Sequence, residues 1–190
     1  MATTTRRVTA DDLAEMGENA SYELIRGVLR EVTPSGGGHG RISVRFGGRL
    51  DAFVDQHDLG SVYGAETGFV VEVDLDTVLV PDVAYVRAER LPPAEMDERF
   101  VPVPPDLVVE VISPSNRTNE IDEKVRLYLD AGVQMVVLVF PRPRTLEVYR
   151  SAHDMQTLTE GDSFDGQDVV PGFRLPVAEI FRSPRPANTD

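Results

Sequence analysis

The sequence contains no cysteine and no tryptophan, and only one of its 19 lysine and arginine residues is a lysine. Without cysteine there can be no disulfide bond, no thiolate metal site and no cysteine nucleophile. No apolar run approaches the length of a membrane span, and residues 1–7 lack the apolar core of a signal peptide. We therefore expect a cytoplasmic protein that does not contact a membrane.

Positive charge is scarce, because 32 acidic residues give a net charge of −13. This balance argues against a generic nucleic-acid binder, whose affinity comes largely from basic residues that neutralise phosphates. Arg41, Arg45 and Arg49 nevertheless recur at every fourth position and would line one side of a helix over residues 39–57. A solvated helix face is the commoner explanation of such a row, and a contact with substrate phosphates is the alternative.

Glu110 lies in the middle of an apolar, β-branched segment, Leu107 to Ile112, which is typical of a strand buried on both faces. A buried ionised carboxylate without a partner is strongly unfavourable, so Glu110 should meet a cation or carry a proton. The only lysine, Lys124, follows a short distance along the chain. A lysine is a compact charge whose pKa responds to burial, whereas a guanidinium is always charged.

Lys124 is predicted to lie on a helix that ends at Ala131-Gly132. The buried stripe of this helix consists of four residues at helical spacing: Ile121, Val125, Tyr128 and Leu129. Lys124 lies at the edge of the stripe, so its amine can reach a site beside the core. The alternative explanation is that a compositional bias toward arginine left one lysine in the chain by chance.

Asp82 is a second candidate, in the strand-like segment Thr77 to Arg87. We interpret Pro81-Asp82 as a bulge that re-aims the aspartate, because proline inside a strand is tolerated at edges and bulges. Asp82 and Glu110 would then present converging oxygens next to Lys124. Magnesium requires only one or two such carboxylates, together with water and substrate phosphate.

These segments, taken together and in order, resemble the Uma-two-type restriction endonucleases, a branch of the PD-(D/E)XK nuclease superfamily. The matching segments are Tyr22 to Gly27, Gly38 to Gly40, Gly64 to Gly68, Pro81-Asp82, Glu110 to Pro114, Lys124 with Tyr128 and Ala131 to Val133, and Pro171 to Pro176. The resemblance extends from Tyr22 to Phe181. It implies an α/β (α+β) fold with a mixed central β-sheet flanked by helices, to which an N-terminal helix and hairpins are added.

The resemblance also implies a mechanism. Asp82 and Glu110 would hold one or two Mg²⁺ ions, with Mn²⁺ as a substitute and the carbonyl of Val111 as a further ligand. Lys124 would position the attacking water or stabilise the transition state, and Glu23 would be a supporting acid. The implied substrate is DNA, and the implied assembly is a homodimer.

Two positions depart from the pattern of the superfamily. Ile112 stands where the superfamily has its lysine, two residues after the acidic residue, so the resemblance implies that Lys124 has taken over this role. Phe140 precedes Pro141 where the family often has an aspartate. This second change removes an acidic group near a strand end and leaves the proposed metal ligands in place.

The rest of the chain is predicted to form one domain over residues 1–183, followed by a disordered tail, 184–190. A capping box at Thr9 to Asp12 predicts a helix to about Gly17. Hairpins are predicted over residues 22–32, turning at Arg26-Gly27, and over residues 64–73. Buried strands are predicted at residues 135–140 and 146–149, and residues 89–105 are predicted to be a long loop able to cover the site. His39, near a helix start, is a candidate for phosphate contact or auxiliary base, and a plain capping or loop histidine is the alternative.

Two functions from other classes remain open. In a glycosidase, Asp82 and Glu110 would act without metal, and one carboxylate would have a raised pKa. The scarcity of aromatic residues for sugar stacking counts against this reading. In a catalytically inactive interaction module, Glu110 and Lys124 would be a buried ion pair, a reading that the acidic composition favours.

Overall fold

The computed structural model describes residues 7–16, 22–32, 34–74, 76–93, 99–114 and 116–183. The predicted tail, 184–190, and residues 94–98 of the predicted loop lie outside the described residues. The helices are α1 (Ala10–Glu15), α2 (Gly37–Gln56), α3 (Thr118–Asp130) and α4 (Val177–Ile180). The strands are β1 (Tyr22–Ile25), β2 (Val28–Glu31), β3 (Gly60–Gly64), β4 (Phe69–Glu72), β5 (Thr77–Leu79), β6 (Val83–Arg87), β7 (Leu107–Val111), β8 (Met135–Phe140), β9 (Thr145–Ser151), β10 (Asp154–Leu158), β11 (Ser163–Asp165) and β12 (Arg174–Pro176).

A six-stranded mixed sheet forms the centre of the fold, in the order β10-β9-β8-β7-β6-β3. Its β7 and β8 are parallel, whereas the other neighbours are antiparallel. Parallel neighbours need a crossover connection, and α3 supplies it between β7 and β8. The mixed sheet and the strands at residues 107–111 and 135–140 confirm the predicted fold class.

Side-chain alternation along β7 divides the core into two layers. Leu107, Val109 and Val111 face α2 and the C-terminal segment, in a cluster with Phe46 and Leu50 of that helix. Val108 faces the opposite side, where Val125, Leu127 and Tyr128 of α3 pack. Glu110 has the same parity as Val108, so the strand directs it toward α3.

A second, four-stranded antiparallel sheet has the order β2-β1-β5-β4. Its residues Ile25, Phe69 and Leu79 pack into the same cluster as α3. The β1–β2 hairpin turns at Arg26-Gly27, where both residues have positive φ angles of 51° and 78°. This hairpin and the helix capped by Thr9 confirm two predictions, and the capping box with Asp12 is present.

Two strand predictions are wrong. Pro81-Asp82 is not a bulge within one strand, because β5 belongs to the four-stranded sheet and β6 to the six-stranded one. The proline and aspartate lie where the chain passes from one sheet to the other. Residues 64–73 do not form a hairpin, because β3 pairs with β6 whereas β4 pairs with β5.

The loop over residues 89–105 does not cover Glu110 in the part that the structure describes. Arg90 binds Asp106 at 2.8 Å, and Val101 bridges to Phe69. Asp106 directly precedes β7, so the contact of Arg90 lies at the opposite end of that strand from Glu110. Among the described helices, none combines the length and apolar character needed to cross a membrane.

Candidate active site

Glu110 is held from one side by two residues of α3. Its Oε1 lies 2.7 Å from Lys124 Nζ and accepts a hydrogen bond of 2.7 Å from the hydroxyl of Tyr128. Lys124 and Tyr128 are four residues apart and therefore lie on the same face of the helix. The side chain of Glu110 is 13% exposed, and among the described residues its hydrogen-bond and ion-pair donors both come from α3.

Glu23 reaches the same ammonium from the four-stranded sheet. Its Oε1 lies 2.8 Å from Lys124 Nζ and accepts a hydrogen bond of 3.0 Å from the backbone N–H of Val80. The bond to Val80 fixes the carboxylate at the point where the chain leaves β5 for β6. Lys124 is thus shared between carboxylates carried by two different sheets.

Asp82 is anchored by the backbone of β7. Its Oδ2 accepts a hydrogen bond of 2.7 Å from the N–H of Val111 and lies 3.2 Å from Nε2 of His39. Because Val83 pairs with Val109, the next step along the two strands places Asp82 beside Glu110. The prediction that these two acids converge is therefore matched by the geometry, although the crossing between sheets, rather than a bulge, brings it about.

The site has an excess of negative charge. Burial is the main cause that raises the pKa of Glu110 to about 7, and the charges of Glu23 and Asp82 add to it, while Lys124 opposes it. Burial alone would lower the pKa of Lys124, but Glu110 and Glu23 outweigh burial and hold it above its usual range. The ammonium therefore stays charged, and a further cation would be electrostatically favourable at the site.

Two further groups respond to these acids. The hydrogen bond with Asp82 raises the pKa of His39, against the effect of partial burial, and a backbone hydrogen bond with Val111 adds to the rise. Burial, followed by the charge of Glu110, raises the pKa of Tyr128 well above its usual value. Tyr128 is consequently a hydrogen-bond donor to Glu110 rather than a phenolate.

The site offers a hard divalent cation two carboxylates, which is a small protein ligand set for such an ion. Within the described residues, no group of three or more His, Asp and Glu side chains is arranged to hold a metal. The contacts above use one carboxylate oxygen of Asp82 and one of Glu110. Among the described residues, no hydrogen bond engages the second oxygen of either carboxylate. Two carboxylates, completed by water and substrate phosphate, suffice for Mg²⁺. His39 contacts Asp82 and Val111, two of the three predicted ligands.

One cavity of about 700 Å³ gathers most of the predicted site residues. It is lined by Glu23, His39, Asp82, Glu110, Val111 and Lys124, among others. Arg41 lies instead on a second cavity of about 330 Å³ beside the first. The structure thus brings together every predicted residue except the three arginines.

Arg45 and Arg49 are engaged by the C-terminal segment. The guanidinium of Arg45 donates to the carbonyls of Glu179 and Ile180 at 3.3 and 3.4 Å and also contacts that of Arg182. Arg49 lies 3.0 Å from the carboxylate of Glu179. These two arginines attach α2 to α4, so a contact with substrate is not their evident role.

Tyr128 is the site residue that sequence reasoning assigned only to the buried stripe of α3. Its hydroxyl contacts Glu110, and its ring is fully buried. The signal was present in the sequence, because Tyr128 follows Lys124 by one helical turn and so shares its face. Apolar spacing alone gave no reason to expect a polar contact from that side chain.

The family model of Uma2, described as putative restriction endonuclease, matches residues 10–178. The chain belongs to the Uma2 family. This membership supports a nuclease function. A structure with the same fold is that of a putative nuclease belonging to DUF820 from Anabaena variabilis, with a TM-score of 0.78 and 19% sequence identity. The match covers 92% of this chain and 97% of the other. A comparison with curated proteins finds no match.

Proposed function

We propose that this protein is a Mg²⁺-dependent endonuclease that hydrolyses phosphodiester bonds in DNA. The observation that supports this most directly is the Lys124 ammonium, 2.7 Å from Glu110 and 2.8 Å from Glu23, on a cavity that Asp82 also lines. Membership of the Uma2 family supports the reaction class, and the cavity carries carboxylates and an ammonium of the kind that such a reaction uses.

Asp82 and Glu110 would hold the metal ion, with the carbonyl of Val111 as a further ligand. A bound divalent ion lowers the pKa of water and offsets charge on a phosphate. Lys124 presents a fixed positive charge toward the phosphate, where negative charge increases in the transition state. Glu23 and Tyr128 act through other residues, because Glu23 holds the ammonium and Tyr128 holds one oxygen of Glu110.

The first test is cleavage of supercoiled plasmid, single-stranded DNA and branched DNA with Mg²⁺ or Mn²⁺. Wild type should cleave at least one of them, and Lys124→Ala and Glu110→Ala should each lower the rate by about 100-fold or more. Asp106→Asn is the matched control, because Asp106 is a buried acid paired with Arg87 and Arg90 at the far end of β7. Folded Asp106→Asn should retain cleavage, whereas equal losses in all three variants would point to damage to the fold.

A catalytically inactive interaction module is the second candidate, because the net charge of −13 disfavours nucleic-acid binding and Glu110 and Lys124 form a largely buried ion pair. Divalent-metal binding separates the two functions. A rise in melting temperature with Mg²⁺ that disappears in Asp82→Ala supports the nuclease. No rise, together with no cleavage of any substrate, supports the interaction module.

One observation supports the glycosidase hypothesis, and another counts against it. The pKa of Glu110 is raised to about 7, as an acid catalyst would require. However, Lys124 and Tyr128 already occupy one oxygen of this carboxylate. Tyr128 is also the single Phe, Tyr or Trp among the described residues that line the cavity, and its ring is fully buried. A sugar would have no exposed ring on which to stack.

The cytoplasmic location and the homodimer stay predictions. One active site per chain would suit cleavage of both strands by a dimer. Light scattering on a size-exclusion column should give about twice the mass of 21.0 kDa for a single chain. The mass of one chain would contradict the prediction.

A further inference from the structure

The second cavity lies directly beside the first. Its volume is about 330 Å³. Five residues line both cavities: Gly36, His39, Ile112, Ser113 and Pro114. A linear substrate whose reacting group lies by Asp82 and Glu110 can therefore extend into the second cavity without leaving the protein surface.

Arg41 supplies this second cavity with an uncompensated charge. It is exposed, and among the described residues no ion pair or side-chain hydrogen bond engages it. The other arginine on the cavity, Arg144, is paired with Glu160. Arg45 and Arg49, on the same helix, bind the C-terminal segment. Arg41 is thus the member of the row that is available to a ligand.

The glycines at the start of α2 point to the same place. Gly36, Gly37, Gly38 and Gly40 do not have the positive φ that favours glycine, and a Cβ added at any of them would meet no atom within 4 Å. Neither backbone conformation nor packing therefore requires glycine here, although glycine in a helix is less favourable than alanine. Close approach of a ligand to the main chain is a further reason for glycine, and a helix N-terminus offers N–H groups to anions.

We propose that the second cavity binds the phosphate next to the scissile one on the same nucleic-acid strand, with Arg41 and the main chain of Gly36 to Gly38 as its partners. This inference rests on the proposed nuclease function. It gives the strand a direction through the molecule, from the cavity of Lys124 past His39 to Arg41. It also assigns nucleic-acid contact to a small local patch, which is compatible with a net charge of −13.

The test uses steady-state cleavage of the DNA substrate that wild type cleaves, over a range of salt concentrations. Arg41→Gln should raise KM and leave kcat nearly unchanged. The loss of one phosphate contact should also reduce the slope of log(kcat/KM) against log salt by about 0.7 to 0.9. Arg174→Gln is the control, because Arg174 is 74% exposed and lies on the two-stranded sheet formed by β11 and β12.

A glycine pair separates ligand approach from folding. Gly38→Ala and Gly48→Ala both add a methyl group to α2 where it meets no atom within 4 Å, but only Gly38 lines the cavity. Neither change should lower the melting temperature, since alanine favours the helix. We expect Gly38→Ala, and not Gly48→Ala, to raise KM.

The outcomes distinguish this inference from the function on which it rests. If wild type cleaves DNA but Arg41→Gln keeps the wild-type KM and salt dependence, the phosphate site is refuted and the nuclease stands. Equal KM values for Gly38→Ala and Gly48→Ala would refute the contact between the phosphate and the main chain of Gly36 to Gly38. If wild type cleaves no substrate, the nuclease function is refuted, and the phosphate site with it.

Discussion

Replacing Lys124 with methionine should destabilise the protein strongly in the absence of metal. The ammonium is the cation shared by Glu23 and Glu110, whose side chains are only 10% and 13% exposed. Methionine is of similar length and removes the charge but leaves both carboxylates in place. Breaking a buried pair from one side costs about 3–5 kcal/mol, because the remaining charge has no partner. Much of the stability of an ordinary domain, about 5–15 kcal/mol, would be lost.

The assay is urea unfolding at pH 7.5 in EDTA, followed by far-ultraviolet circular dichroism. Arg30→Met is the matched control, because Arg30 on β2 pairs with Glu123 on α3 and so joins the same hairpin and helix. That pair is 39% and 40% exposed, and its loss should cost about 0–1 kcal/mol. If Lys124→Met costs no more than Arg30→Met, the claim that the buried carboxylates depend on Lys124 is refuted.

The loss of stability in Lys124→Met should also depend on pH. Burial raises the pKa of Glu110 to about 7 even with the ammonium present, and removal of the ammonium removes the influence that lowers it. The folded state then keeps a proton on Glu110 that the unfolded state releases near pH 4.5. The stability of the variant therefore falls as pH rises from about 4.5 through the raised pKa of Glu110. The double variant Lys124→Met with Glu110→Gln should recover part of the loss at pH 7.5 and less at pH 5.

Three further predictions concern other parts of the chain. Hydrogen bonds from Thr77 and Arg26 lower the pKa of Glu72 despite its partial burial, so Glu72→Gln should be less stable than wild type above pH 4.5. Titrated melting temperatures should converge as pH falls through the lowered pKa. Tyr128→Phe should cost about 1 kcal/mol in urea unfolding and weaken Mg²⁺ binding in calorimetry, because Glu110 loses a donor. Phe46→Ala should cost about 3–5 kcal/mol, since Phe46 is fully buried; a smaller loss would mean that the core closes around the gap.

The buried strand at Glu110 could be predicted from local sequence, because a β-branched apolar run indicates burial directly. The fold class was implied by the resemblance to the nuclease family. The strand partners could not be predicted. The apolar runs on either side of Pro81-Asp82 are consistent with one bulged strand or with two separate strands. Which sheet each half joins depends on contacts with β1 and β3, and these are not encoded within the segment itself.

The candidate site was predictable where single residues contradict their surroundings. A glutamate in an apolar strand and the only lysine in the chain are such cases, and the structure places them 2.7 Å apart. The contact of His39 with Asp82 could not be derived from spacing, because it depends on how α2 is placed against the sheet. The contacts of Arg45 and Arg49 could not be derived for a related reason: helical spacing puts the two residues on one face but does not show that α4 packs there.

A single oxygen atom ties the four-stranded sheet to α3 at the site. Glu23 Oε1 binds both the main chain at Val80 and the side chain of Lys124, so it connects β1, the crossing between the sheets and α3. Local opening of the β1–β2 hairpin would therefore expose the ammonium and Glu110 to water at the same moment. The hairpin and α3 should behave as one cooperative unit in hydrogen exchange, in which the reactive geometry exists only while both are closed.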